Sequence, residues 1–187
     1  MKIICIGDSL TFGYGVWMRD CWVSLLNEAL DIEVLNRGTC GDTSGYLLDR
    51  TRNRLIPGLA EAGDIAIIMG GANDTLMYGA NENDADNIIN IAKLLSEKNV
   101  TPIIGIQPGF KASRCPFYGP LDPEDLNRNF DKFASMVISK AEAAGFALFD
   151  LRPVLKDPSL YSDGVHPTEE GHRLIYETVR ETLRQYI

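Results

Sequence analysis

Histidine is scarce in this chain, with two in 187 residues. Cysteine is sparse too: Cys5, Cys21, Cys40 and Cys115 lie far apart, form no CxxC pair and have no histidine close by. That excludes a zinc pattern or a dense disulfide framework and leaves reduced thiols in or near a core as the expectation. Basic charge is in deficit, 18 Lys and Arg against 26 Asp and Glu for a net charge of -8. Binding through phosphates rests on a basic patch that releases counterions, so nucleic acid is not an expected partner. The local cluster Arg50, Arg52, Arg54 reads as a solvated face of a helical stretch. Long apolar runs are absent: none approaches the roughly 20 residues that cross a bilayer. The opening run reaches Gly7 and Asp8 too soon for a signal-peptide core, so the expectation is a soluble, cytoplasmic chain with no transmembrane segment. A phosphate cradle is missing as well. Gly13 and Gly15 lack the third glycine of GxGxxG, and no GxxxxGK[ST] occurs, which argues against the nucleotide or flavin binder that an α/β pattern otherwise suggests. No motif specifies an assembly state.

What the chain does have is 45% hydrophobic residues, enough to bury one sizeable core in a single domain spanning residues 1–187. Short β-branched apolar runs alternate with longer amphipathic stretches, the pattern of a parallel sheet covered by helices on both faces. Strands are predicted at Ile3 to Ile6, Ile32 to Asn36, Ile65 to Met69, Pro102 to Ile106 and Ala147 to Asp150. Helices are predicted at about Cys21 to Leu30, Gly45 to Leu55, Asp84 to Lys98, Pro123 to Ala144 and Thr168 to Tyr186. Asp122-Pro123 carries an N-cap and a proline for the first turn, and Gly145 closes the same helix. The longest irregular segment runs from Gln107 to Leu121, past the carboxyl end of the fourth strand, at the edge where doubly wound sheets bind ligands.

Four segments carry candidate chemistry. Gly7-Asp8-Ser9-Leu10-Thr11 follows the first strand and can hold a serine hydroxyl above the sheet beside a backbone N–H. Alone, such a pair is more often a turn in which Asp8 or Ser9 caps a helix, and Thr11 departs from the GxSxG elbow. The second segment, Asp163-Gly164-Val165-His166, places a carboxylate three residues from one of the two histidines; a serine needs such a base, and the base needs an acid to fix its tautomer. His172, inside a predicted helix, fits a structural role. For oxyanion donors there are the Gly41 turn and Gly70-Gly71-Ala72-Asn73-Asp74, each by itself an ordinary turn. Ser9, Gly41 and Asn73 all fall just past the carboxyl ends of the first three strands, which lie along one edge of a parallel sheet.

These blocks resemble the SGNH hydrolases, also called GDSL lipases and esterases. The likeness spans nearly the whole chain: Gly7-Asp8-Ser9-Leu10, Gly41 within Asn36 to Ser44, Gly71-Ala72-Asn73-Asp74, and Asp163-Gly164-Val165-His166-Pro167 occur in the family's order. The resemblance implies a flavodoxin-like three-layer α/β/α sandwich with a five-stranded parallel sheet. It implies Ser9 as nucleophile, His166 as base and Asp163 as its partner, with Ser9, Gly41 and Asn73 forming the oxyanion hole. The implied reaction is hydrolysis of carboxyl esters or thioesters of a small molecule or lipid through an acyl-enzyme, with neither cofactor nor metal. An acetylesterase acting on carbohydrate and a non-catalytic binding module on the same fold are the alternatives. Phe110, Pro116, Phe117, Tyr118 and Pro120, together with Tyr14, Trp17, Met77 and Tyr78, are candidate walls for a substrate pocket, or aromatics packed for their own sake.

Overall fold

The computed structural model describes residues 1–114 and 122–187. Cys115, Pro116, Phe117, Tyr118 and Pro120, named above, lie outside the described residues.

In chain order the elements are β1 (Ile3–Gly7), α1 (Ser9–Phe12), α2 (Trp22–Ala29), β2 (Val34–Gly38), α3 (Ser44–Arg50), α4 (Ile56–Gly58), β3 (Ile65–Met69), α5 (Ala72–Tyr78), α6 (Glu82–Ser96), β4 (Thr101–Ile106), α7 (Pro123–Ala144), β5 (Ala147–Asp150) and α8 (Glu169–Leu183). The five strands form one parallel sheet in the order β2-β1-β3-β4-β5. The period of two along each strand sorts the core onto two faces. On one face Ile3, Cys5, Ile65, Ile67 and Met69 pack with Trp22 and Leu26 of α2 and with Ile175 and Val179 of α8. On the other, Ile4, Ile6, Ala66, Ile68 and Ile104 pack with Leu47 of α3, Ile88 and Ala92 of α6 and Val137 of α7. The result is the expected three-layer α/β/α sandwich. Strand order reverses direction between β1 and β3, and in such sheets ligands bind outside the carboxyl ends at that switch.

Two strands, β3 and β5, have the ends the sequence predicts. β2 instead begins and ends two residues later than Ile32 to Asn36. Its pairing starts at Ile3↔Val34 and continues to Gly7↔Gly38, carrying the polar residues Asn36 and Arg37 on a sheet edge where hydrophobicity does not mark the strand. The predicted helix from Gly45 to Leu55 is interrupted: α3 passes at Thr51–Leu55 into a π-helical turn before α4. α5 was hidden by a Gly-Gly-Ala-Asn-Asp string that reads as a turn. It is entered through Gly71 at φ +105, left-handed, and leaves through Gly79. Among the described residues no helix is long and apolar enough to cross a membrane.

Candidate active site

The polypeptide reaches the carboxyl edge of the sheet as three turns and one loop. After β1, Asp8 caps α1, its Oδ1 accepting from the Leu10 N–H at 3.0 Å, so the serine next to it becomes the first residue of the helix. The Ser9 N–H thus lacks an intrahelical acceptor and is free to donate outward. The hydroxyl of this largely buried residue lies 3.0 Å from His166 Nε2.

His166 arrives in the loop after β5. That loop is pinched shut by the bridge between Tyr161 and Pro167 and by the Ser162 N–H donating to the His166 carbonyl at 2.9 Å. Within it, Asp163 Oδ1 accepts from the Val165 and His166 N–H groups at 3.0 and 2.8 Å, and Oδ2 lies 2.7 Å from His166 Nδ1. A carboxylate can only accept, so it holds the ring proton on Nδ1 and leaves Nε2 to accept from Ser9. Burial pushes the Asp163 carboxyl upward, but the hydrogen bonds from His166 and Val165 outweigh it and keep the group below its ordinary value. The Tyr14 ring lies against His166, centroids 4.5 Å apart and tilted by 46°, on a turn between Gly13 and Gly15, both at left-handed φ.

After β2 comes Gly41, exposed at φ +83, with nothing within 4 Å of where a side chain would begin. After β3 comes Asn73 on α5, whose Nδ2 donates to the Asp42 carbonyl at 2.8 Å. That uses one of its two amide hydrogens and leaves the other. Backbone N–H groups and a neutral side-chain amide near a serine hydroxyl can stabilise an oxyanion on an attacked carbonyl.

Three polar side chains hold the turns together. Gln107, at the end of β4, donates from Nε2 to Asp8 Oδ2 at 2.7 Å and accepts on Oε1 from the Ala72 N–H at 2.8 Å. Asp74, buried on α5, accepts from the Ser44 N–H at 2.8 Å and from its hydroxyl at 2.8 Å. Arg50 donates to Asp42 Oδ2 at 2.9 Å, to the Arg37 carbonyl at 2.9 Å and to the Gly7 carbonyl at 3.2 Å. This overturns the reading of Arg50 as part of a solvated face: its partners on β1 and β2 come from outside its own helix, and only Arg52 and Arg54 are exposed. The roles of Gln107 and Asp74 were also missed. The one trace was the place of Gln107, directly after the apolar run of β4 at the ligand-binding edge, and that does not name its partners.

Asp8 is fully buried, which pushes its carboxyl up to about 6, against the pull of the Gln107 and Leu10 hydrogen bonds and of a charged His166. His172 is likewise buried, on α8. Desolvation and the like charge of a protonated His166 push it down to about 4, and its Nδ1 accepts from the Trp22 N–H at 3.4 Å, as a structural histidine would. Cys5 and Cys21 are buried and free, whereas Cys40, beside Gly41, is exposed, contrary to the expectation of thiols in or near the core. Phe12, Tyr14, Trp17 and Met18 are exposed on one stretch, and Met77 and Tyr78 on another. Phe12, Gly13, Val16 and Met18 line an open groove of about 480 Å³ with Asn36 and Gly38. Phe110, by contrast, is buried with Ala72, Leu126 and Phe130. Among the described residues no three His, Cys, Asp or Glu side chains group to hold a metal ion.

The model of the GDSL-like lipase/acylhydrolase family matches residues 5–174 of the chain. An arylesterase of Vibrio mimicus is 28% identical over 196 residues, covering 100% of this chain and 90% of its own length. Esterase TesA of Pseudomonas aeruginosa is 28% identical over 190 residues, covering 97% and 87%. A crystal structure of a member of the lipolytic protein G-D-S-L family from Veillonella parvula superposes with a TM-score of 0.84 at 22% identity, covering 97% of each chain.

Proposed function

The chain belongs to the GDSL-like lipase/acylhydrolase family, and from that premise we propose that it hydrolyses carboxyl esters with Ser9 as nucleophile, His166 as general base and Asp163 as the group that orients the base. The observation that carries the proposal is the unbroken line from Asp163 Oδ2 to His166 Nδ1 at 2.7 Å and from His166 Nε2 to Ser9 Oγ at 3.0 Å.

The chemistry follows from the donors and acceptors along that line. Ser9 Oγ attacks the ester carbonyl as its proton passes to His166 Nε2, and the imidazolium so formed is stabilised by the Asp163 carboxylate. Negative charge gathers on the former carbonyl oxygen and is met by the Ser9 and Gly41 N–H groups and the Asn73 amide. His166 then returns the proton to the departing alcohol. Water, activated by the same nitrogen, cleaves the acyl-enzyme and frees the acid. Similarity to an arylesterase and an esterase, together with the exposed apolar groove beside α1, supports an ester with a compact apolar or aryl portion as substrate.

The test is hydrolysis of p-nitrophenyl esters of graded acyl length by wild type and Ser9→Ala, with a fluorophosphonate probe applied to both. The expected result is ester cleavage by wild type alone and one phosphonyl adduct, on Ser9. Equal activity in the two proteins removes Ser9 from the mechanism.

A further inference from the structure

Resting on that reading of Ser9 and Asn73, we infer that Gln107 is a positioning residue of the reaction: its carboxamide ties the nucleophile turn to the turn that carries the side-chain oxyanion donor. The sheet alone does not fix these two turns. The ladder between β1 and β3 ends at the pair Gly7↔Met69, one residue before Asp8 and three before Ala72. Beyond that point the Gln107 bridge takes over, with one hydrogen bond to the residue before Ser9 and one from the residue before Asn73.

The bridge is directional. The Ala72 N–H can only donate, and an ionised Asp8 carboxylate can only accept, so Oε1 must face Ala72 and Nε2 must face Asp8. A flipped amide would set donor against donor and acceptor against acceptor. Gln107 is also buried, with 8% of its surface exposed, behind both turns. The other two clamps do not replace it: Asp74 joins α5 to the Gly41 turn through Ser44, and on β1 Arg50 reaches only the carbonyl of Gly7, still within the ladder. Spacing between nucleophile and donor matters most once charge has developed on the oxygen, so loosening this bridge acts on turnover and leaves ground-state binding in place.

The experiment compares wild type, Gln107→Met, Gln107→Asn and Ser9→Ala on p-nitrophenyl acetate, with thermal midpoints measured beside the kinetics. Gln107→Met keeps the volume and removes both hydrogen bonds. Gln107→Asn keeps a polar group that is one methylene too short to span both partners. The expected result is kcat lower by roughly 10- to 100-fold with KM within about twofold of wild type, in protein still folded at the assay temperature. If Gln107→Met does not fold, Gln107→Asn is judged by the same two constants. A folded variant whose kcat stays within about twofold of wild type, or one whose loss is all in KM, overturns the inference. Full activity in Ser9→Ala overturns instead the reading on which it rests, so the two failures are distinct.

Discussion

His166 Nε2 and Ser9 Oγ meet at 3.0 Å although 157 positions separate them in the chain. Ser9 comes from the turn after β1, and His166 from a loop after β5, at the far side of the sheet. Their meeting is the product of parallel topology, which delivers every strand's carboxyl end to one edge, and of a short loop closed by its own hydrogen bonds.

Asp163→Asn is expected to lower kcat by about 100- to 10,000-fold, because a neutral amide neither fixes the Nδ1 proton nor stabilises the imidazolium. Steady-state kinetics on a p-nitrophenyl ester checks this. Asp163 also bears on acid stability. Its folded-state carboxyl is depressed, so the stability it contributes is present above the ordinary value of 3.8 and is lost as pH falls through the depressed one. Thermal midpoints of wild type and variant should therefore converge in acid.

Asn73→Ala is expected to cost on the order of 100-fold or more in kcat, the usual penalty for losing one oxyanion donor. The variant should remain folded, since the one hydrogen bond shown to be lost ends on the Asp42 carbonyl at the surface edge of the site. Circular dichroism and turnover from one preparation decide it; wild-type turnover removes Asn73 from the oxyanion hole.

Asp8 gives a pH signature of opposite sign to Asp163. Its carboxyl is raised from 3.8 to about 6, so its contribution to stability is fully present below the ordinary value and is lost as pH rises through about 6. The shift corresponds to on the order of 3 kcal/mol. The thermal midpoint of Asp8→Asn relative to wild type should accordingly become more favourable as pH goes from 4 to 8. A difference independent of pH would show that Asp8 does not titrate in this window.

Arg50→Leu is expected to destabilise the fold by about 2 kcal/mol, since it leaves Asp42 and two backbone carbonyls without a charged donor. Arg50→Lys should recover only part of this, as an ammonium cannot fork between partners. Arg52→Ala, at an exposed position, is expected to stay within about 0.5 kcal/mol. Urea unfolding of the three variants measures all of this.

How much of this was legible in the sequence depends on where each residue's meaning resides. β3 and β5 were placed to the residue because an apolar run and a strand coincide there. Ser9, Asp163 and His166 stood out because few residue types can supply a nucleophile, a base and an acid, and the fold places the three side chains within hydrogen-bond reach of one another. The clamps were not legible. A glutamine, an arginine and an aspartate are ordinary surface residues until their partners are known, and those partners lie 99, 43 and 30 positions away. α5 was obscured for a related reason: its first N–H is satisfied by Gln107, just past the end of β4, so no local capping residue announces it.

The aromatic ring resting on His166 makes that histidine spectroscopically distinct. The carbon-bound protons of the imidazole lie in the ring current of Tyr14, displaced from the shifts of a solvated histidine. The other histidine, His172, is fully buried on α8 beside Trp22, a different environment, so the two imidazoles can be told apart. One-dimensional proton NMR of the unlabelled protein can thus follow this one imidazole while an inhibitor or product occupies the site.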